Sequence, residues 1–322
     1  MKKSTFYTIL FTIVLPVVYA LIARVLFNLD ISLELYNLMG ITFIGLIPVA
    51  IGVIAINWSS EEKIKKISYR ILYPWISILI FFVLTLLINL EGWACWVMIL
   101  PIFLVSSSIG GLIAGFIRTL RKNEKLTVQL LILLPFFISP LEQMIKVIPG
   151  TYQAYTYIDI DAPAEKIWNN VTRVHEIPEE MDKGYLTRFL QFPRPVKAEL
   201  DHEEVGGYRE AIFTNGLVFH EKVTQYIHQK KMSFSITANP HEIPSTTLDK
   251  HIVIGGDYFD VLNGTYELEQ LGINQYRLHL YSYFELKTTF NFYASWWARW
   301  IMQDIQNNIL QVQKIRSESK TL

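Results

Sequence analysis

The sequence predicts an α-helical membrane region over 1–149, then an α+β domain over 150–322 in which a curved antiparallel sheet packs around a long C-terminal helix. Three observations carry this. The chain is 51% hydrophobic with a mean hydropathy of +0.27, too apolar for an ordinary soluble protein, and nearly all its long apolar runs precede Pro149. Beyond Gly150 the pattern changes to alternating, strand-like segments divided by turn signals. The stretch 294–316 then repeats apolar residues at helical spacing: Ala298, Ile301, Ile305, Val312 and Ile315, with Ile309 beside them. Its other face, Asp304, Gln306, Asn307, Gln311 and Lys314, is expected to meet water. A one-faced helix of this length needs a partner surface, and the sheet is the available one; plain core packing accounts for the same stripe.

The apolar runs predict about five transmembrane helices, at 6–27, 38–57, 71–90, 93–117 and 126–148. The first follows Lys2 and Lys3 like a signal peptide, but it is too long for one and has no small-residue cleavage site. Pro16 reads as a tolerated kink and Arg24 as a snorkelling cation. Only Glu91 and Gly92 part the third and fourth runs, so these form a tight hairpin. Ser106, Ser107, Ser108, Gly110, Gly111 and Gly115 make the fourth run a surface for close helix approach. The fifth is the weakest, carrying Pro135, Pro140, Glu142 and Lys146; the last two are four apart and are expected to pair.

Loop charges alternate. Lys2 and Lys3 lead; Asp30 and Glu34 follow; then Lys63, Lys65, Lys66 and Arg70; then Glu91; then Arg118, Arg121, Lys122 and Lys125. This places the N-terminus in the cytoplasm. Five spans in a bacterial inner membrane put the C-terminal domain outside the cytoplasm; a fifth run lying in the interface would put it inside. The only cysteine, Cys95, lies within an apolar run, which excludes an intrachain disulfide and a cysteine metal site. With 29 basic and 29 acidic residues, no nucleic-acid partner is expected.

The second half opens with a strand at 155–160. A helix follows, with Asp161 as candidate N-cap, Pro163 and Glu165 in its first turn, and Ile167, Trp168 and Val171 on one face. A broken segment containing Pro178 runs to 190. Strands are expected at 196–200, 208–213, 217–226, 231–238, 264–271 and 276–287, with turns at Gly206-Gly207, Asn215-Gly216, 228–230 and 272–275.

The turn after Phe213 permits two registers. A two-residue Asn-Gly turn would set Glu210 against Glu221, like against like. A three-residue loop with Gly216 left-handed sets Phe213 against Leu217, Ala211 against Phe219 and Arg209 against Glu221. The second is preferred. It gathers Ala211, Phe213, Leu217, Phe219 and Val223 on one apolar face with an Arg–Glu pair embedded in it, and Met232, Phe234, Ile236 and Ala238 extend that face. Such a pair orients a ligand's polar head or, equally, only locks the register. In the last strand Arg277, His279, Tyr281, Tyr283 and Glu285 share a solvated face.

The strand Ile158-Asp159-Ile160, followed by Asp161-Ala162-Pro163-Ala164-Glu165-Lys166-Ile167-Trp168, resembles the opening signature of the START/polyketide-cyclase-like superfamily, also called SRPBCC or Bet v 1-like. The likeness covers about 151–316. Gly206-Gly207, Arg209, Phe213, Gly216, Glu221 and the Trp-rich start of the last helix are similar to an uncharacterised bacterial subfamily with several N-terminal spans. The resemblance implies a helix-grip fold around a hydrophobic cavity. Arg209, Glu221, Phe213, Phe219, Phe234, Trp297 and Ile301 are the residues expected to bind ligand, and Trp296, Trp297 and Trp300 either roof the cavity, sit at a membrane interface or pack in the core. The superfamily contains carriers, cyclases, hydrolases and sensors, so fold does not give function.

The leading expectation is membrane-anchored binding of a hydrophobic or amphipathic small molecule or lipid. The alternatives are a cyclase- or hydrolase-type enzyme with Glu221 as acid or base, and a sensor or interaction module whose cavity side chains fill. No Gly-x-Ser-x-Gly elbow, phosphate-binding loop or His-Glu-x-x-His occurs, and the seven histidines lack metal spacing, so neither cofactor nor metal is expected.

Overall fold

The structure, a computed structural model, describes residues 7–28, 35–120, 125–145, 147–239 and 253–319. The chain forms two compact units, Met1–Val147 and Ile148–Leu322.

The first unit is helical: α1 (Leu15–Leu26), α2 (Ile47–Asn57), α3 (Ile67–Leu87), α4 (Trp93–Leu120) and α5 (Lys125–Gln143). Wider π-helical turns at Leu10–Val14 and Thr42–Leu46 lead into α1 and α2, ahead of Pro16 and Pro48. A proline has no N–H for the carbonyl four residues back, and the turn widens to accommodate it. Among the described residues three helices are long and apolar enough to cross a membrane, Tyr7–Leu26, Ile67–Leu87 and Trp93–Thr119; Thr42–Asn57 and Val128–Gln143 are shorter apolar helices. α2 is buried on nearly every side, so it is apolar all round. It lies against α4 backbone to backbone: a Cβ on Gly52 would overlap the Ser107 carbonyl, and one on Gly110 the Val49 carbonyl.

One polar expectation in this unit is corrected, and the expected pairing of Glu142 with Lys146 falls outside the described residues. Arg24 does not snorkel. It is 2% exposed, paired with Glu91, and its Nη2 donates to the Leu90 carbonyl at 2.9 Å. A partner in place removes the need to reach the interface. Glu142 accepts from the backbone amides of Ile41 at 2.7 Å and Thr42 at 3.0 Å, where helix N–H groups lack internal partners. Lys146 lies outside the described residues, as do Lys2, Lys3, Asp30, Glu34, Arg121 and Lys122. Arg118 closes the far end of α2, donating to the Asn57 and Ser59 carbonyls at 2.8 and 2.6 Å.

The second unit is a helix-grip domain. Its elements are β1 (Gly150–Asp161), α6 (Ala164–Thr172), α7 (Tyr185–Leu190), β2 (Pro195–Leu200), β3 (Tyr208–Phe213), β4 (Val218–Ile227), β5 (Lys231–Thr237), β6 (Phe259–Gly272), β7 (Gln275–Leu286) and α8 (Asn291–Glu318). The strands form one antiparallel sheet in the order β1-β7-β6-β5-β4-β3-β2. Register shifts between Val223 and Gln225, Val261 and Asn263, and Gln270 and Gly272 add the local twist that curls it. The shift beside Asn263 also explains why β6 extends five residues ahead of its expected start: the extra residue breaks the alternation through which Phe259 and Val261 join the core. Asp161 ends β1 and Pro163 takes the helix N-cap position, since strand pairing with Gln275 holds Asp161 extended.

α8 packs along β1 and β7 with most of the expected apolar face inward, Val312 fully buried and Ala298, Ile305 and Ile309 partly buried against the core, but the face is shifted at two positions. Gln306 is buried and Ile315 is 45% exposed. The buried positions are Ser295, Gln306, Asn308, Leu310, Val312, Gln313 and Ser317. Gln306 pays its desolvation locally: its Oε1 accepts from Thr156 Oγ1 at 3.2 Å, and its Nε2 donates to Ser282 Oγ at 3.1 Å and the Ala154 carbonyl at 3.4 Å. On another side Asp304 caps α7, accepting from Tyr185 N at 3.2 Å and from Thr187 N and Oγ1 at 2.8 Å.

Two outcomes follow from these contacts. Gly110→Leu is expected to abolish the folded helical unit, because backbone rather than a movable side chain occupies the space; loss of monodisperse protein in detergent, with Gly45→Leu as the tolerated control, checks it. Asp304→Ala is expected to cost about 1 kcal/mol and to speed amide exchange in Tyr185–Leu190, leaving β7 protected, as read by hydrogen-exchange mass spectrometry.

Candidate functional site

The β3–β4 hairpin closes through Thr214–Gly216, with Asn215 at φ 59° and Gly216 at φ 80°. Phe213 N donates to the Leu217 carbonyl at 2.8 Å, which is the three-residue closure. Arg209 therefore stands opposite Glu221, and Ala211 opposite Phe219. Both charged residues point inward and are almost fully buried, 3% and 4% exposed, and they are joined as an ion pair through Arg209 Nη1 and Glu221 Oε2.

Apolar side chains surround the pair. Phe234 lies 5.4 Å under the guanidinium, a cation–π contact, and its ring stands 6.1 Å from Tyr266. Phe213 and Phe219 meet edge to face at 4.9 Å. Leu200, Val223, Met232, Ile236 and Leu310 complete the buried surroundings, with Met302 and Ile309 of α8 partly buried against them.

Tyr266 and Gln313 complete the polar cluster, and sequence reasoning missed both. Tyr266 is buried beside Arg209 and Gln313. It follows the same inward alternation as Leu268, a signal that was available. Gln313 carried none, because a polar residue on a helix reads as solvent-facing. Among the described residues its Nε2 and Oε1, and Arg209 Nε, make no hydrogen bond of good geometry, although the Tyr266 hydroxyl lies close enough to both side chains to interact with them. Burial pushes the Glu221 carboxyl above the ordinary carboxylate range against the pull of Arg209. It likewise raises the Tyr266 hydroxyl. Burial works against the Arg209 charge, but Glu221 and Tyr266 beside it hold its pKa above the ordinary value.

The structure thus brings together Arg209, Glu221, Phe234 and Phe219, with Phe213 alongside. It does not bring Trp297 and Ile301 to them. Both are half-buried on the first half of α8, where Trp297 meets Trp300 edge to face at 5.6 Å. A pocket of about 550 Å³ lies elsewhere, lined by Glu179, Arg188, Gln191, Phe192, Arg194, Thr214 and Asn215, and none of the expected ligand residues borders it. The outer face of β7 carries Arg277 paired with Asp159 and His279 against Tyr155. Among the described residues no group of three His, Cys, Asp or Glu converges as a metal site.

No family model matches the chain, and no curated protein sequence does. Similar solved structures include a Nitrosospira multiformis protein, at 16% identity and a TM-score of 0.32, spanning 52% of this chain and 97% of that one. Norcoclaurine synthase from Thalictrum flavum is similar at 14% identity and a TM-score of 0.33, over 55% of this chain and 99% of that one. The Aha1 dimer from Colwellia psychrerythraea gives 17% and 0.29, over 53% and 99%. The helix-grip assignment rests on the strand order and on the long helix of the second unit itself.

Breaking the pair has a predictable sign. Glu221→Gln strands the Arg209 charge and is expected to destabilise the domain by about 3–5 kcal/mol, whereas the double replacement Arg209→Met, Glu221→Leu is expected to recover most of that loss. Thermal unfolding of the three proteins, followed by circular dichroism in one detergent, checks the ordering.

Proposed function

We propose that this chain is a membrane-anchored protein whose helix-grip domain binds a hydrophobic or amphipathic small molecule, such as a lipid, with the apolar part among Phe219, Phe234, Met302 and Ile309 and the polar head at Arg209, Tyr266 and Gln313. The observation that carries the reading is the set of orphaned polar atoms in this apolar interior. A buried donor or acceptor without a partner costs about 1–3 kcal/mol. Three such atoms in one cluster are supplied by a head group that accepts from Arg209 Nε and Gln313 Nε2 and donates to Gln313 Oε1. The anchoring half of the proposal is supported by the three long apolar helices and the alternating loop charges. It keeps the five-span topology, in which the short helices Thr42–Asn57 and Val128–Gln143 cross with local thinning of the bilayer and the domain lies outside the cytoplasm.

The enzyme alternative draws on the raised Glu221 carboxyl, which suits a proton donor. Its weakness is the Arg209 contact, which commits that carboxylate to a structural pair.

Gln313→Leu separates ligand binding from a side-chain-filled interior. The replacement has nearly the same volume and removes two unpartnered polar atoms, so stability is expected to hold or rise. A diazirine-bearing fatty acid photolysed with the full chain is expected to label peptides from β4, β5 and α8 in the wild type. The variant is expected to lose most of that labelling at unchanged melting temperature. Equal labelling of the two proteins, or none in the wild type, would count against the proposal.

A further inference from the structure

The first turns of α8 carry an aromatic stripe that the domain leaves uncovered. Phe292, Trp296 and Trp300 are 62%, 59% and 54% exposed. They are four residues apart and therefore share one helical face. Further along the helix the exposed positions are mostly polar: Asn307, Gln311 and Glu318, with Ile315. Each large aromatic side chain offers about 150–250 Å² to a partner, and a contiguous patch of this kind marks an interaction surface.

Three features point to a lipid surface as the occupant. The stripe begins where the chain arrives from its apolar half: Asn291, the first residue of α8, donates from Nδ2 to the Ile148 carbonyl at 3.3 Å, and Ile148 is itself 84% exposed. The residue types are those that settle at the headgroup level, with an amphipathic indole at two of the three positions. The charge fits as well. Residues 291–300 include no acid and one base, Arg299, whereas the rest of α8 is balanced, with Asp304 and Glu318 against Lys314 and Arg316. A cation beside apolar rings suits an anionic headgroup layer.

We propose that Phe292, Trp296 and Trp300 insert into the boundary between headgroups and acyl chains, so that the start of α8 docks on the bilayer. This rests on the reading that the apolar half is membrane-anchored, and it adds a second attachment, made by the domain itself.

The test uses the full chain in nanodiscs of phosphatidylcholine and phosphatidylglycerol. In a Cys95→Ser background, spin labels are placed singly at Phe292→Cys, Trp296→Cys and Trp300→Cys, with Asn307→Cys and Gln311→Cys on the same helix as references. Collision with oxygen is expected to exceed collision with a water-soluble nickel complex at the first three positions, and the reverse at the two references. Nickel-dominated collision at 292, 296 and 300 would overturn the proposal. So would labels there shielded from both reagents, which is the signature of a protein partner or a second copy. Because a variant can fail to fold, the wild-type chain is also photolysed in nanodiscs containing diazirine-bearing phosphatidylcholine. Adducts within 291–300 are expected, and adducts confined to the first unit would overturn the docking. Alkaline carbonate extraction distinguishes the two layers of the argument. Release of the chain from membranes overturns the anchoring together with the docking, while retention with nickel-dominated labels overturns the docking alone.

Discussion

The hydrogen bonds of Gln306 fix the geometry on which the rest of the second unit depends. A helix of this length, lying along a curled sheet, must either present an unbroken apolar face or bring partners for every polar group that it buries. This helix takes the second course. One amide joins the Ala154 carbonyl on β1, Thr156 on the same strand and Ser282 on β7, so it sets the rotation of α8 about its own axis. Helical spacing then carries Leu310, Gln313 and Ser317 inward and turns Ile315 out. Asp304, on another side, holds α7 to the same helix. The helix is thus located by directional bonds, where an apolar stripe alone would permit sliding and rotation.

That rotation distinguishes two kinds of buried polar group in one domain. Gln306 and Asn308 are satisfied; Asn308 accepts from Lys183 N at 2.7 Å and donates to Asp182 Oδ1 at 2.9 Å. Gln313, seven residues beyond Gln306 and on the same face, makes no hydrogen bond of good geometry at either end of its amide, with only the Tyr266 hydroxyl near it. Structural polar groups in folded domains are paired, and an unpaired one calls for a specific explanation. The contrast within a single helix is informative, because the same sheet that satisfies Gln306 on β1 and β7 offers Gln313 only Tyr266 and the neighbourhood of an ion pair.

Most of the architecture was legible in the sequence. Period-two alternation and turn residues located the strands, and avoiding like charges at Glu210 and Glu221 chose the hairpin register that places Arg209 opposite Glu221. What was not legible depended on a partner distant in sequence. Gln306 read as solvent-facing, and Gln313 was placed on neither face, because nothing local announces Ser282 or Tyr266. Arg24 read as snorkelling because its partner Glu91 follows 67 residues later. Nothing local to Glu142 announces that it accepts from the amides of Ile41 and Thr42, about a hundred residues earlier. Hydrophobic periodicity identifies elements. It does not identify which buried polar groups will find each other. Ile301 was placed inward by helical spacing and Trp297 as one candidate roof of the cavity, and the structure leaves both half-buried on the first half of α8.

The physics of the proposed ligand follows from its source. A molecule drawn from a bilayer leaves surroundings as apolar as the domain interior, so burying its tail there yields little net hydrophobic gain. Shape complementarity and the head group must supply the difference. A hydrogen bond to a charged donor such as Arg209 contributes about 1.5–3 kcal/mol, a factor of roughly ten to a hundred or more in occupancy. Selectivity would then reside in the head, with tails of differing length accepted nearly alike. The same argument explains why an ion pair suits this position better than a lone arginine. Glu221 neutralises the guanidinium, yet its contact is through Nη1 and leaves Nε without a hydrogen bond of good geometry. The domain can therefore stay folded without ligand and still hold a directional donor in reserve.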